Sequence, residues 1–141
     1  MEKVKPNFQT VLSESKSKFC VLIDDDEDDQ LIFKTVLNMH FTDYKLKVFS
    51  TFETAKPYLT EHEKEIDSIF IDLNMPKANG IDCLKYLRSF PVFQKTPIII
   101  YSTSKNPDDS RKSLENGATA FISKPSRIED LVKVLSQWLE M

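Results

Sequence analysis

A carboxylate, Asp72, stands directly after the largely apolar segment 68–71 and just before a loop that contains Pro76. A short apolar run of this kind is typical of a buried strand. An isolated charged carboxylate at the end of such a strand is costly in free energy unless it is paired or bound to a cation. The position of Asp72 therefore predicts that other polar groups gather around it.

Three other apolar segments also end in polar side chains. These side chains are the carboxylates of Asp24, Asp25 and Asp26 after 19–23, the hydroxyls of Ser102 and Thr103 after 97–101, and the ammonium of Lys124 after 119–123. Two or three carboxylates with room for water form an oxygen-rich site that suits Mg²⁺. A hydroxyl and an ammonium opposite them can hold the oxygens of a phosphoryl group. Because a carboxylate can attack phosphorus and form an aspartyl phosphate, the set fits phosphoryl transfer to Asp72.

Each of these residue types also has an ordinary structural explanation. Acids after a strand commonly cap the next helix, which accounts for the acidic run 26–29. Ser102 alone is typical of a loop, and Lys124 alone is typical of a solvated strand end. The chemical interpretation depends on the joint occurrence of such residues at four strand ends.

The elements that must position these side chains alternate along the chain. Strands are predicted at 19–23, 44–49, 68–72, 97–101 and 119–123, and a helix is predicted after each of them. Alternating strands and helices predict an α/β fold with a parallel sheet and helices on both faces. The four polar strand ends meet if the fold is a flavodoxin-like (βα)5 doubly wound parallel sheet with strand order 2-1-3-4-5.

Local patterns predict where the helices begin and which faces they bury. Capping boxes that start at Ser50 and Ser126 predict the beginnings of the second and fifth helices. Pro57 predicts a kink or an early end in the second helix. The predicted buried face of the first helix comprises Leu31, Ile32, Val36 and Met39.

Length and composition narrow the class of protein. The chain has 141 residues, 40% of them hydrophobic, and we expect a flexible tail at 1–17 with a short helical turn near 8–12, followed by one domain at 18–141. The net charge of −3 gives no basis for a nucleic-acid partner. No apolar stretch resembles a membrane span or a secretory signal, which predicts a cytoplasmic protein. Cys20 and Cys83 are predicted to be reduced core residues.

Taken together, the motifs resemble those of response-regulator receiver domains, which are CheY-like, over about residues 18–140. The resemblance lies in the acidic pair after the first strand, the Asp72 to Gly80 segment, the hydroxyl at Ser102 and the aromatic-then-Lys-Pro motif at 121–125. The intervals between Asp72, Ser102 and Lys124 also agree with the family's usual spacing. The residues from Asn74 onward are similar to those of stand-alone receivers that partner bacterial phytochromes.

The resemblance implies a role for each residue of the phosphorylation site. Asp72 is expected to take a phosphoryl group from the phosphohistidine of a sensor histidine kinase or of a histidine phosphotransfer protein. Asp25, Asp72 and the backbone carbonyl of Asn74 are expected to bind Mg²⁺, and Asp24 to act through metal-bound water. Lys124 is expected to pair with Asp72 at rest and with a phosphoryl oxygen after transfer.

The resemblance also implies a conformational switch. Ser102 is expected to turn toward the phosphoryl group and Phe121 to rotate inward, which alters the surface of the fourth helix, fifth strand and fifth helix. Asn74 and Ser104 flank the site and are expected to tune the lifetime of the phosphoryl group. The peptide bond before Pro125 is expected to be cis, because proline lowers the cost of that isomer.

The implied function is that of a single-domain two-component response regulator. It is a signalling domain, and not an enzyme beyond its own phosphorylation and dephosphorylation. With no output domain expected after Met141, a downstream protein would read its state, and family analogy favours a homodimer. Two alternatives stay open: a haloacid-dehalogenase-like phosphatase that uses Asp24, Asp26, Ser102 and Lys124, and a scaffold that ignores phosphorylation.

Overall fold

The computed structural model describes residues 17–140, in which five parallel strands lie between two layers of helices. The elements are β1 (Lys18–Ile23), α1 (Glu27–His40), β2 (Tyr44–Phe49), α2 (Phe52–Glu61), β3 (Ile66–Ile71), α3 (Gly80–Arg88), a 3₁₀ turn (Pro91–Phe93), β4 (Ile98–Ser102), α4 (Pro107–Glu115), β5 (Ala120–Ser123) and α5 (Ile128–Leu135). The strand order is β2-β1-β3-β4-β5, and every pair is parallel. The flavodoxin-like order 2-1-3-4-5 predicted from the sequence is confirmed.

The strands differ in burial according to their place in the sheet. β4 is buried along its whole length, as expected for a strand that has neighbours on both sides and helices on both faces. β2 lies at one edge, and its exposed positions are Lys45 and Lys47. Lysines on an edge strand disfavour pairing with the edge of another sheet.

Two apolar cores lie on the two faces of the sheet. One combines strand residues such as Ile100 with Leu59 of α2 and Leu84 of α3. The other packs alternate strand residues, including Phe70, against α1 and α5. In the second core the ring of Phe33 meets those of Phe70 and Tyr101 edge-on, with centroids 5.0 and 5.5 Å away. These packed faces hold the ends of β1, β3, β4 and β5 in register with one another.

The buried face of α1 differs from the prediction. Phe33, Val36 and Leu37 are buried, whereas Leu31 and Met39 are 64% and 67% exposed. Ile32 is 39% exposed, so that Val36 is the correctly predicted member of the set. α1 carries two overlapping apolar stripes, and the stripe with the aromatic ring of Phe33 buries more apolar area against the sheet.

Two predicted helix caps are wrong. Thr51 caps α2, because its side chain accepts the N–H of Thr54 at 3.1 Å. Ser50 instead lies 3.0 Å from the side-chain amide of Gln30. α5 begins after Arg127, without a side-chain cap, so Ser126 does not cap it. Neighbouring hydroxyls compete for one cap position, and the approach angle of the loop decides between them.

Pro57 lies inside α2 without ending it. The helix continues four residues farther, to Glu61. Proline removes one intrahelical hydrogen bond, to the carbonyl four residues earlier. Both Pro57 and Glu53 are exposed, so water can solvate the carbonyl that loses its partner. The predicted early end is therefore wrong, whereas the predicted kink stays a prediction.

Residues 1–16 and 141 lie outside the described part of the chain, and so do the turn predicted near 8–12 and nearly all of the predicted tail. Within residues 17–140, no helix has the length and apolar character needed to cross a membrane. Cys20 and Cys83 are both buried and free, as predicted.

Candidate functional site

The carboxyl ends of β1 and β3 bring three carboxylates together at one edge of the sheet. Asp24 is fully buried, Asp72 is 7% exposed, and Asp25 lies exposed beside them. One oxygen from each of the three lies within 4.8 Å of the others. The backbone hydrogen bonds between β1 and β3 continue to this edge, because the N–H of Asp72 donates to the carbonyl of Ile23 at 2.8 Å.

The acidic cluster formed by Asp24, Asp25 and Asp72 has the donor set of a divalent-cation site. Asp24 Oδ1 accepts the N–H of Asp26 at 2.9 Å, and the buried Oδ2 lies 2.7 Å from the ammonium of Lys124. Three carboxylates this close repel one another, and a bound divalent cation would relieve that repulsion. Carboxylate oxygens are the ligands that Mg²⁺ prefers, so the residues fit this ion.

Lys124, at the end of β5, lies among the carboxylates. Its side chain is 6% exposed, and its Nζ lies 2.7 Å from Asp24 Oδ2, 2.7 Å from Asp29 Oδ2 and 3.7 Å from Asp72 Oδ1. The same ammonium lies over the ring of Tyr101, 5.2 Å from its centroid. The expected pairing with Asp72 at rest is therefore the longest of three contacts.

Asp29 is a site residue that the sequence reasoning missed. The acidic run 26–29 predicts helix capping, but a helix has one N-cap position. Asp26 occupies it and accepts the N–H groups of Asp28 and Asp29. The side chain of Asp29 is therefore available to Lys124. The sequence indicates this possibility, because the run 26–29 contains four acids and only one of them can be the N-cap.

Burial and charge shift the pKa values at this edge. Burial raises the pKa of Asp72 from 3.8 to about 7; Lys124 opposes the rise, and Asp24 and Asp25 add to it. Burial also raises the pKa of Asp24, against the hydrogen bond from Lys124. For Lys124, burial lowers the pKa, but the bonds to Asp24 and Asp29 outweigh it and the net pKa is raised. The ammonium therefore stays charged, whereas Asp72 titrates near neutrality.

Ser102 is buried at the end of β4, and its hydroxyl is held by the loop that follows. Ser102 Oγ accepts the N–H of Ser104 at 3.1 Å. Ser104 Oγ donates to Asp109 Oδ2 of α4 at 2.5 Å, and Ser123 Oγ donates to the carbonyl of Ser104 at 3.2 Å. The loop thus connects Ser102 to α4 and β5 through Asp109 and Ser123, which the sequence reasoning did not identify.

The loop after Asp72 is closed by backbone contacts that require a glycine. The N–H of Gly80 donates to the carbonyl of Leu73 at 2.8 Å. Asn74 and Asn79 form an isolated antiparallel β-bridge. A Cβ atom at position 80 would lie 2.5 Å from the carbonyl oxygen of Asp72 and 2.8 Å from the Cα of Leu73. This close approach explains the glycine.

The end of β5 contains the predicted aromatic switch residue and a proline. Phe121 is half-buried, pairs with Ile100 of β4 and packs on the core formed with α2 and α3. The expectation of a cis bond before Pro125 is wrong, since residues 17–140 contain no cis peptide bond. The trans isomer is lower in energy for X–Pro bonds by about 0.5–1 kcal/mol.

The arrangement has the parts of a known signalling family. Residues 20–136 match the response regulator receiver domain family. The chain belongs to this family. This receiver domain is 27% identical over 132 residues to response regulator Rcp1 of Synechocystis sp.. The alignment covers 87% of this chain and 90% of Rcp1. It is 28% identical over 110 residues to two-component response regulator ORR12 of Oryza sativa subsp. japonica, covering 77% of this chain and 91% of ORR12.

Solved structures have the same fold as this receiver domain. The Mn²⁺-bound form of response regulator Rcp1 superposes with a TM-score of 0.76 at 28% identity, covering 88% of this chain and 96% of Rcp1. The phosphorylated cyanobacterial phytochrome response regulator RcpA has the same TM-score, 0.76, at 24% identity, covering 86% and 90%. The resemblance to receivers drawn from the sequence is confirmed.

Proposed function

We propose that Asp72 of this receiver domain accepts a phosphoryl group from the phosphohistidine of a sensor histidine kinase or a histidine phosphotransfer protein. The observation that carries the proposal is the surrounding of Asp72. Its largely buried carboxylate lies close to oxygens of Asp24 and Asp25 and 3.7 Å from the ammonium of Lys124. Phosphoryl transfer needs little beyond such positioning and charge neutralisation.

The transfer begins with attack by a carboxylate oxygen of Asp72 on phosphorus. The P–N bond to the donor imidazole breaks, its electron pair stays on the imidazole nitrogen, and an aspartyl phosphate forms. The attacking carboxylate must be ionised, and with a pKa of about 7 Asp72 is ionised in a large fraction of molecules near neutrality. Lys124 supplies positive charge for the new phosphoryl oxygens.

The acidic cluster would hold Mg²⁺ during this chemistry. Asp25, Asp72 and the backbone carbonyl of Asn74 would be ligands, and Asp24 would act through water. When bound, Mg²⁺ supplies positive charge that neutralises the phosphoryl oxygens. The Mn²⁺-bound form of the related Rcp1 supports a divalent cation at this edge.

The phosphoryl group would be read out at the face formed by α4, β5 and α5. It adds about −1.5 to −2 charge and three acceptor oxygens. Ser102 would exchange its bond with Ser104 for one to the phosphoryl group, and Phe121 would move into the space that this opens. Because Ser104 is tied to Asp109, the exchange would also shift α4.

The partners that we propose are a histidine kinase of the phytochrome type or a phosphotransfer protein upstream, and a target protein downstream. The phytochrome assignment is supported by the similarity to RcpA and Rcp1. Asn74 and Ser104 are proposed to set the phosphoryl lifetime, since the matching positions flank the site in the family. A homodimer is also proposed by family analogy, and sedimentation with and without beryllofluoride tests it.

The proposed phosphoacceptor is tested with acetyl phosphate and Mg²⁺, or with beryllofluoride. Wild type is expected to become phosphorylated and to bind beryllofluoride, whereas Asp72→Asn, which keeps the shape and removes the nucleophile, is expected to do neither. Asp43→Asn is the matched control, because Asp43 is an exposed acid in the loop between α1 and β2. Equal modification of wild type and Asp72→Asn removes Asp72 as the phosphoacceptor.

A further inference from the structure

Asp29 contacts the site but has no part in the chemistry proposed above. We propose that Asp29 is a positioning residue that holds the ammonium of Lys124 back from Asp72 in the resting protein and competes with the phosphoryl group for it. The inference rests on the proposed function and goes further, since it adds a fourth carboxylate that regulates the site from α1.

The contact between Asp29 and Lys124 is built into the fold. Asp29 is fixed in the first turn of α1 by its N–H bond to Asp26 Oδ1, at 3.1 Å. Lys124 leaves the end of β5 over the buried ring of Tyr101, which packs against Phe33 of the same helix α1. The Nζ to Oδ2 distance of 2.7 Å is that of a charge-assisted hydrogen bond.

The distances from Lys124 Nζ show which carboxylates the ammonium contacts in the resting protein. Lys124 contacts Asp24 and Asp29 at 2.7 Å each, whereas the 3.7 Å to Asp72 exceeds hydrogen-bond length. The ammonium donates a hydrogen bond to Asp29 and forms an ion pair with Asp24, so both of its close contacts are with acids other than the phosphoacceptor. An ammonium in this position has to move toward a phosphoryl group on Asp72, and the attraction of Asp29 opposes that movement.

Asp29 also differs from Asp24 in its relation to the metal. Asp24 belongs to the acidic cluster, so its charge is shared with any cation held there. Asp29 is not a member of that cluster, and its side chain is about three-quarters buried, at 26% exposure. Its charge therefore acts mainly on Lys124, and the low exposure of both groups limits screening by water and salt.

Two effects of opposite sign follow from neutralising Asp29. Without its charge, the ammonium of Lys124 is less compensated and repels a divalent cation in the acidic cluster more strongly, which weakens Mg²⁺ binding. At the same time the ammonium is free to approach Asp72, which strengthens binding of a phosphoryl analogue once Mg²⁺ is saturating. Simple damage to the site would weaken both.

The test compares the full-length Asp29→Asn and Asp28→Asn variants by calorimetry. Asp28 is the matched control, since it lies in the same helical turn, carries the same charge and is exposed, without a side-chain bond in the described structure. For Asp29→Asn we expect the Kd for Mg²⁺ to rise, and the Kd for beryllofluoride at saturating Mg²⁺ to fall, each about three- to tenfold. For Asp28→Asn we expect changes of less than about twofold. Asp29→Glu keeps the charge and is expected to shift less than Asp29→Asn.

A second readout needs no metal and no phosphoryl analogue. In a metal-free crystal structure of Asp29→Asn, Lys124 Nζ is expected within hydrogen-bond distance of Asp72, instead of the 3.7 Å seen at rest. An ammonium that stays at its present distance overturns the inference, and so do parallel losses of both affinities or unchanged affinities. If wild type itself does not bind beryllofluoride, the proposed function fails, and the crystal structure alone decides whether Asp29 positions Lys124.

Discussion

The backbone at Gly80 passes so close to Asp72 that a Cβ atom there would lie 2.5 Å from the Asp72 carbonyl oxygen. The start of α3 is thereby pressed against the strand end that carries the proposed phosphoacceptor. Asn79 caps the helix by accepting the N–H of Ile81 at 2.7 Å, and Asn74 bridges back to Asn79. The loop between β3 and α3 is consequently held by the close backbone approach at Gly80 and by the side-chain cap of Asn79.

Replacing Gly80 with alanine is expected to impair both stability and ligand binding. The added Cβ meets backbone atoms, which cannot rotate away, so Gly80→Ala is expected to cost about 1–3 kcal/mol of unfolding free energy. The displaced carbonyl end of Asp72 should also weaken beryllofluoride binding. Urea unfolding and calorimetry measure the two effects.

Gly117→Ala is the matched control for this prediction. Gly117 has a positive φ of 102°, so alanine is strained there as well, but the position lies after α4 beside Arg88. We expect it to lose stability and to keep wild-type affinity for beryllofluoride. Wild-type affinity in Gly80→Ala would contradict the role of the close approach.

The raised pKa of Asp72 predicts a pH-dependent stability. The folded protein holds this proton up to a pH of about 7, whereas an unfolded Asp releases it near 3.8. The contribution to stability is therefore complete below the unfolded pKa and is lost as the pH rises through about 7. At pH 8 without metal, Asp72→Asn is expected to be more stable than wild type by on the order of 2 kcal/mol, and at pH 4 the difference should vanish.

Urea unfolding between pH 4 and 8 in the presence of a chelator measures this difference. Mg²⁺ at pH 8 should stabilise wild type and have little effect on Asp72→Asn. Asp43→Asn, at an exposed position, is expected to show no such pH dependence. A constant difference between Asp72→Asn and wild type across the pH range would show that Asp72 titrates at its ordinary pKa.

The hydrogen bond from Ser104 to Asp109 predicts a local effect on the loop after β4. Asp109→Ala removes the acceptor that ties this loop to α4. Amide hydrogen exchange in 103–109 is expected to rise about 10- to 100-fold, as for the loss of one bond to a charged group. Asp108→Ala is the control, since among residues 17–140 the Asp108 side chain contacts only Arg111, in an exposed ion pair. Equal exchange in the two variants would contradict the proposed role of the hydrogen bond from Ser104 to Asp109.

Arg88 is predicted to be the main polar stabiliser between α3 and the loops beside β4 and β5. Its guanidinium donates to the carbonyls of Phe93, of Thr96 at 2.8 Å and of Gly117 at 2.9 Å. Arg88→Met keeps the apolar stem and leaves these carbonyls without a donor, so we expect a loss of about 2–4 kcal/mol in urea unfolding.

Arg111→Met is the control for Arg88→Met, because Arg111 makes exposed ion pairs within α4. It is expected to change the unfolding free energy by less than about 0.5 kcal/mol. Similar losses in the two variants would mean that the carbonyls around Arg88 are satisfied by water.

The sequence alone was sufficient for the order of strands and helices and for the residues at the strand ends. Apolar runs with acids, a hydroxyl or a lysine after them are local patterns, and a parallel sheet brings such ends to one edge. Asp24, Asp25, Asp72 and Lys124 meet there for this reason, and Ser102 lies at the same edge beside the backbone of Lys124. Their assigned chemical roles stay predictions.

Only the tertiary structure decided which of several equivalent local choices was used. Leu31 and Phe33 lie on different apolar faces of α1, and packing against the sheet buries the face that contains Phe33. Asp28 and Asp29 are equivalent as acids in a first turn, but only Asp29 reaches Lys124. Such contacts depend on how α1 packs against the sheet and α5, because distances between residues far apart in the chain are set by the whole core and not by any local pattern.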